Sequence, residues 1–90
     1  MKIAFSANDY LEIAYAWDYL SVNPTGHIHQ IETSLIELLQ HADLEIRQVA
    51  ANYANGFNEQ GLLSLKCLEE IIAIIGKDPE IAYYNEMYFE

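Results

Sequence analysis

"HADLEIRQVAANYANG", residues 41–56, runs from a polar corner into an alanine-rich stretch, and its reading decides the fold. Asp43 suits a helix N-cap, because a carboxylate there can accept from the free amides of the first turn. Ile46, Val49, Ala50 and Tyr53 then recur at helical spacing, which predicts a helix over 44–55 with those side chains on its buried face. Gly56 is expected to end it.

The same reasoning carries outward. Upstream, residues 27–40 (HIHQIETSLIELLQ) place Ile28, Ile31, Leu35, Leu38 and Leu39 in one broad apolar stripe. Before them, residues 8–21 (NDYLEIAYAWDYLS) read as a helix capped by Asn8 or Ser6, and Val22 to Gly26 read as a proline-containing turn. Downstream, Asn58 is the expected cap of a helix over roughly 59–75. Its stripe is Leu62, Leu65, Leu68, Ile71, Ile72 and Ile75, widened by Leu63, Cys67 and Ile74. Gly76 ends that helix, Asp78 caps the next, and Pro79 opens a final helix over 79–88. The expected fold is all-α, with five helices. Ninety residues leave room for one domain, 1–90, and no second core. Four glycines and two prolines are too few for a turn-dense β fold.

A repeat underlies this order. Asp43-Leu44-Glu45-Ile46 and Asp78-Pro79-Glu80-Ile81 match at a constant offset, 80 − 45 = 35. The buried positions that follow also correspond: Ile46, Val49 and Tyr53 against Ile81, Tyr84 and Tyr88. A fainter copy lies in "ANDYLEIAYA", where Ala7 and Leu11 match Ala42 and Ile46. A period in this range signals stacked helical hairpins. The stretch "LIELLQHADLEIRQVAANYAN" resembles a HEAT-like repeat: a leucine-rich first helix, a corner with Asp, then Glu-Ile-Arg and a small-residue second helix. The resemblance implies a short stack of antiparallel hairpins, in which Asp43 and Arg47 support packing between repeats. The later copy has Ala82 where the arginine would stand, and the earlier copy has Glu12. An ordinary five-helix bundle with recurring caps is the alternative.

Catalytic chemistry finds little support. His27 and His29 are two apart and point to different helix faces. There is no HExxH and no cysteine pair, so no metal is expected. His27 and His41 suit helix ends, and His29 a surface. Cys67 sits in an apolar run without an evident base and reads as an inert core thiol. Gly56 and Gly61 make no phosphate loop, and no spacing selects a carboxylate pair. No cofactor or enzymatic activity is expected.

Charge is the more informative property. Fourteen acids against four Lys and Arg give a formal net charge of −10. That field opposes nucleic acid and anionic membrane, and it attracts basic partners. The longest apolar runs, such as Ile71 to Ile75, are far short of a membrane span. One cysteine and no secretory-type leader pattern suit a cytoplasmic setting.

Acids and aromatics mix at the two ends. Asp9, Tyr10, Glu12, Tyr15, Trp17, Asp18 and Tyr19 crowd the first helix; Glu80, Tyr83, Tyr84, Glu86 and Tyr88 crowd the last. Rings anchor interfaces and carboxylates steer basic partners. The chain resembles, in size, charge and lack of catalytic motifs, the small acidic bacterial immunity proteins that neutralise toxin nucleases. That resemblance implies stoichiometric occlusion of a basic nuclease. The expected partner-binding residues are Glu12, Asp18, Tyr19, Glu80, Tyr83 and Glu86. Glu45, Gln48 and Asn52 join them, because second helices line the concave surface of a HEAT-like stack. A HEAT-like adaptor without inhibitory activity is the alternative, and an enzyme accessory subunit is a third.

Overall fold

The computed structural model describes residues 10–23 and 25–89, with side chains from Ala14 onward. Its elements are α1 (Tyr10–Val22), α2 (Ile28–Leu38), α3 (Leu44–Glu59), α4 (Leu65–Gly76) and a closing π-helix (Asn85–Phe89). No strand occurs among the described residues, and the fold is all-α. The expected caps at Ser6 and Asn8 lie outside the described residues.

Local chemistry sets the helix starts. Asp43 lies in extended backbone, and its Oδ1 accepts from the Glu45 amide at 2.9 Å. Ser64 opens α4 in the same way, its Oγ accepting from the Cys67 amide at 3.2 Å. Glu32 on α2 accepts from the amide of Ser64 itself at 2.8 Å, so this corner is tied to the neighbouring helix. His27 stands at the helix end expected for it, the N-cap position of α2, where its carbonyl accepts from the Ile31 amide at 2.9 Å and its side chain makes no capping bond. The turn before it instead depends on Gly26, whose φ of 82° suits glycine.

Three boundaries differ from expectation. Gly56 does not stop α3, which continues to Glu59. The stop is Gly61, at φ 73°. Its amide donates to Asn58 O at 2.9 Å and the Leu62 amide to Phe57 O at 3.1 Å, the paired bonds of a Schellman ending. The reason is Phe57, which extends the buried face of Ile46, Ala50 and Ala54 by one more turn. Its burial offsets the roughly 1 kcal/mol cost of a mid-helix glycine. Asn58 therefore lies inside α3 and caps nothing downstream.

The fourth helix begins at Leu65 rather than near 59. Leu62 and Leu63 pack on the core from the preceding corner, while Leu65 is 71% exposed. The last segment is not a continuous α-helix. Ile81 and Tyr84 amides donate back three residues, to Asp78 O and Ile81 O, and the chain then widens into the π-helix. Asn85 Nδ2 donates to Ile72 O at 3.0 Å and pins that segment to α4.

The packing alternates. α1 lies on α3, and α2 lies on α4; α2 also packs on α3, and α4 on the π-helix. The buried side chains form one connected cluster. α3 touches α1, α2 and α4, and the small Ala50, Ala51 and Ala54 let them approach. Trp17 of α1 is fully buried against this face, its ring 5.2 Å from that of Tyr53. Its indole donates to Ser34 Oγ at 3.0 Å, and that hydroxyl donates to Ile31 O at 3.0 Å. The only polar buried side chain in the core is thus satisfied among the described residues.

Ile46→Ala should destabilise by about 2–5 kcal/mol, because a fully buried isoleucine at the centre of α3 leaves a cavity. Leu65→Ala should change stability by under about 0.5 kcal/mol. Urea denaturation of both variants tests this pairing, and equal losses would show that the two positions share one environment.

Candidate protein-binding face

Arg47 joins the two Asp-containing corners. Its Nη1 donates to His41 O at 2.8 Å and Ala42 O at 3.0 Å, both in the corner before α3. Its Nε meets Asp78 Oδ2 at 2.9 Å, and its Nη2 meets Glu80 Oε1 at 2.6 Å, both in the corner after α4. Asp78 Oδ1 in turn accepts from the Glu80 amide at 3.0 Å. The guanidinium is only 12% exposed and Asp78 19%, whereas Glu80 is 57% exposed. Burying this charge is offset by two carboxylates and two carbonyls. Asp43 takes no part: it caps α3, and His41 Nδ1 accepts from the Asp43 amide at 2.9 Å.

The clamp sets the second corner beside the outer surface of α3. Glu45, Gln48 and Asn52 follow one another at spacings of three and four, so they share one helix face. Glu45 and Asn52 are exposed and Gln48 is half-buried. With Val49 and Tyr84 they line a shallow pit of about 320 Å³. Tyr83 stacks on Tyr84 at 4.5 Å between ring centroids and is itself exposed. Burial, and then the neighbouring Tyr83, push the Tyr84 hydroxyl up to about 12, so it remains a neutral donor at physiological pH.

A second pit, about 290 Å³, lies on the other side of α3, lined by Ser21, Asn52, Tyr53, Gly56, Phe57 and Gln60. Asn52 belongs to both. Tyr53 donates to Asp18 Oδ1 at 2.6 Å across the α1–α3 contact. Burial first, and then Asp18, raise the Tyr53 hydroxyl to about 12.

The sequence-expected residues therefore distribute over neighbouring elements. Asp18 and Tyr19 are exposed on α1, Glu45, Gln48 and Asn52 lie on α3, and Tyr83 and Glu86 are exposed on the closing segment. Glu80 is engaged by Arg47. The side chain of Glu12 lies outside the described residues. Trp17 does not join the exposed aromatics; its large apolar ring completes the core instead. Sequence reasoning missed the second pit, because Tyr53 read as core and Gly56 as a helix stop.

Other groups offer less chemistry. A groove of about 470 Å³ between α2 and α4 holds His29, Glu32, Glu37 and Glu70 around Ile36 and Cys67. Burial, followed by Glu32, pushes the Cys67 thiol up to about 11, which suppresses the nucleophilic thiolate. Among the described residues no group of three or more His, Cys, Asp or Glu could hold a metal ion. No helix among them is long and apolar enough to cross a membrane.

Arg47→Met should destabilise by about 1–3 kcal/mol, since it frees carbonyls and a largely buried carboxylate. Asp78→Asn should cost more than Glu80→Gln, whose exposed pair is worth about 0–1 kcal/mol. Chemical denaturation decides the order, and a larger loss for Glu80→Gln would contradict it.

Tyr53 supplies an alkaline signature. Its folded pKa is raised above the ordinary 10, so the stability it contributes is full below pH 10 and is lost as pH rises towards 12. Tyr53→Phe should cost about 1 kcal/mol or less at pH 7 and make the decline between pH 10 and 12 shallower than in the parent. Denaturation midpoints across that window check the slope; an unchanged slope would exclude Tyr53 as a source.

Comparison with known proteins finds no matching family model, no matching curated protein and no matching solved structure.

Proposed function

We propose that this protein is a short HEAT-like stack that binds a basic protein, and that it acts as an immunity protein neutralising a toxin nuclease in the cytoplasm. The stack reading is supported by the alternating packing and the offset of 35 residues. It is also supported by Arg47, which reaches from the corner of one copy to the Asp and Glu of the next.

The functional reading rests on one observation above the others. Two shallow pits meet at Asn52 on α3, one bounded by Glu45, Gln48, Val49 and Tyr84 and the other by Ser21, Tyr53, Gly56, Phe57 and Gln60, on a chain of net charge −10. Acids draw a basic surface in, and rings in partly enclosed sites retain it. Inhibition is then occlusion: the nuclease surface that would hold phosphates is covered by carboxylates. No group of the inhibitor needs to react.

A second reading is a HEAT-like adaptor that joins two proteins. The groove between α2 and α4 favours it, because its lining, with Glu32, Glu37 and Glu70 beside His29 and Lys66, shares no residue with either pit on α3 and so offers a separate face. An adaptor would hold two proteins at once, while an inhibitor needs one.

Purified protein, assayed against a panel of basic toxin nuclease domains, should abolish one activity at a 1:1 ratio. Association should slow as salt rises past the point where the Debye length is about 10 Å. Neutralising Asp18, Glu45 and Glu86 together should lower the on-rate, while Tyr83→Ala should mainly speed dissociation. Glu80 is left intact because it belongs to the Arg47 clamp. If the triple variant binds and protects like the parent at low and physiological salt, another surface carries the function.

A further inference from the structure

The two matching corners differ in what holds their aspartate. At the second corner the Asp78 amide donates to Ile75 O at 3.1 Å, a backbone carbonyl that does not titrate. At the first, the Asp43 amide donates instead to a side chain, His41 Nδ1, at 2.9 Å. The offset of 35 residues puts Gly76 where His41 stands, so the second corner has no ring to offer. A backbone N–H can only donate. Nδ1 is therefore the acceptor, and the ring is the neutral tautomer with its proton on Nε2.

We propose that His41 is a pH-sensitive catch: its neutral ring holds the corner before α3, and protonation at Nδ1 releases that corner and loosens the Arg47 clamp. Histidine is the side chain whose charge ordinarily changes between about pH 5 and 8. An imidazolium carries N–H on both nitrogens, so its Nδ1 would face the Asp43 amide donor to donor. The ring must then turn away and leave the amide without that acceptor. The bonded form is the neutral one, so the stability it supplies is present at about pH 8 and lost as pH falls towards about 5.

The clamp carries the change further. Arg47 Nη1 donates to His41 O at 2.8 Å and to Ala42 O at 3.0 Å, and the Arg47 amide donates to Asp43 O at 3.1 Å. The same guanidinium holds Asp78 and Glu80, where the chain turns towards Tyr83 and Tyr84. Displacing the two carbonyls therefore reaches the closing segment through one side chain. The charges around the ring have both signs. Asp43 lies on its own corner, Arg47 comes from α3, and Lys77, Asp78 and Glu80 come from the corner after α4, along a cleft of about 580 Å³. The end of α2 adds only Leu39 and Gln40 to that lining. Arg47 is matched by Asp78 and Glu80 in direct contact. The hydrogen bond from the Asp43 amide is thus the directed contact that separates the neutral ring from the charged one.

The test titrates the full chain from about pH 8 to 5 and compares it with His41→Asn. An asparagine side-chain oxygen accepts from the amide two residues on and does not titrate in that window. His27, His29 and the carboxylates are common to both proteins, so the difference between the two Tm curves isolates His41. The two should have similar Tm at the upper end, and the variant should exceed the parent by a few degrees at the lower end. In the parent, the amides of Asp43, Glu80 and Ile81 should shift in NMR spectra with the same midpoint as the His41 ring. In the variant none of the three should follow that midpoint. Parallel Tm curves would overturn the proposal, as would an Asp43 amide that ignores the ring. An Asp43 amide that follows the ring while Glu80 and Ile81 do not would overturn it too, because Arg47 would then transmit nothing. Should His41→Asn fail to fold, the amide shifts of the parent decide alone.

Discussion

The small-residue face of α3 is the constraint on which the rest depends. Ala50, Ala51 and Ala54 are fully buried, and α1, α2 and α4 all pack on the helix that carries them. A larger side chain there would force the helices apart, and overpacking a core costs about 1–3 kcal/mol. The same helix carries Ile46 and Phe57 inward, and Glu45, Gln48 and Asn52 outward. One element therefore holds the core together and presents the candidate binding surface. Its two jobs are separated only by which way each residue points.

Arg47 adds the long-range order. Helical contacts alone would leave the last segment attached mainly to α4. The guanidinium connects the corner at His41–Ala42 to Asp78 and Glu80, fixing where the chain turns towards Tyr83 and Tyr84. Tyr84 then lies beside Asn52 and Val49 and closes one pit, with Tyr83 stacked on it. The opposite pit is closed by α1, held through Trp17 in the core and Tyr53 on Asp18. The candidate surface is thus built from elements far apart in the chain, joined by a few directed contacts.

Much of this was legible in the residues. Asp43 followed by an apolar periodicity identifies the start of α3, and Ile31, Leu35, Leu38 and Leu39 identify the buried stripe of α2. Helix ends were less legible, because a glycine can terminate a helix or sit within one. Phe57 decides between Gly56 and Gly61, and its burial depends on tertiary packing that local spacing does not contain. Trp17 shows the same limit: beside Asp18 and Tyr19 it reads as an interface ring, but Ser34 on another helix satisfies its indole. The closing segment departs from α geometry after Asp78 and Pro79, although its capping residues suggested a regular helix. Of the candidate site, Glu45, Gln48 and Asn52 could be grouped by spacing, whereas the pits required the positions of α1 and Tyr84.

The proposed binding face runs over α1, α3 and the closing segment rather than over the groove between α2 and α4. Hydroxyl-radical footprinting of the protein, free and saturated with an inhibited basic nuclease domain, separates those surfaces. Tyr19 and Tyr83 are exposed on the first, and Leu65 is exposed on α4. Labelling of Tyr19 and Tyr83 should fall in the complex while labelling of Leu65 persists. Protection of Leu65 with Tyr19 and Tyr83 still labelled would contradict it.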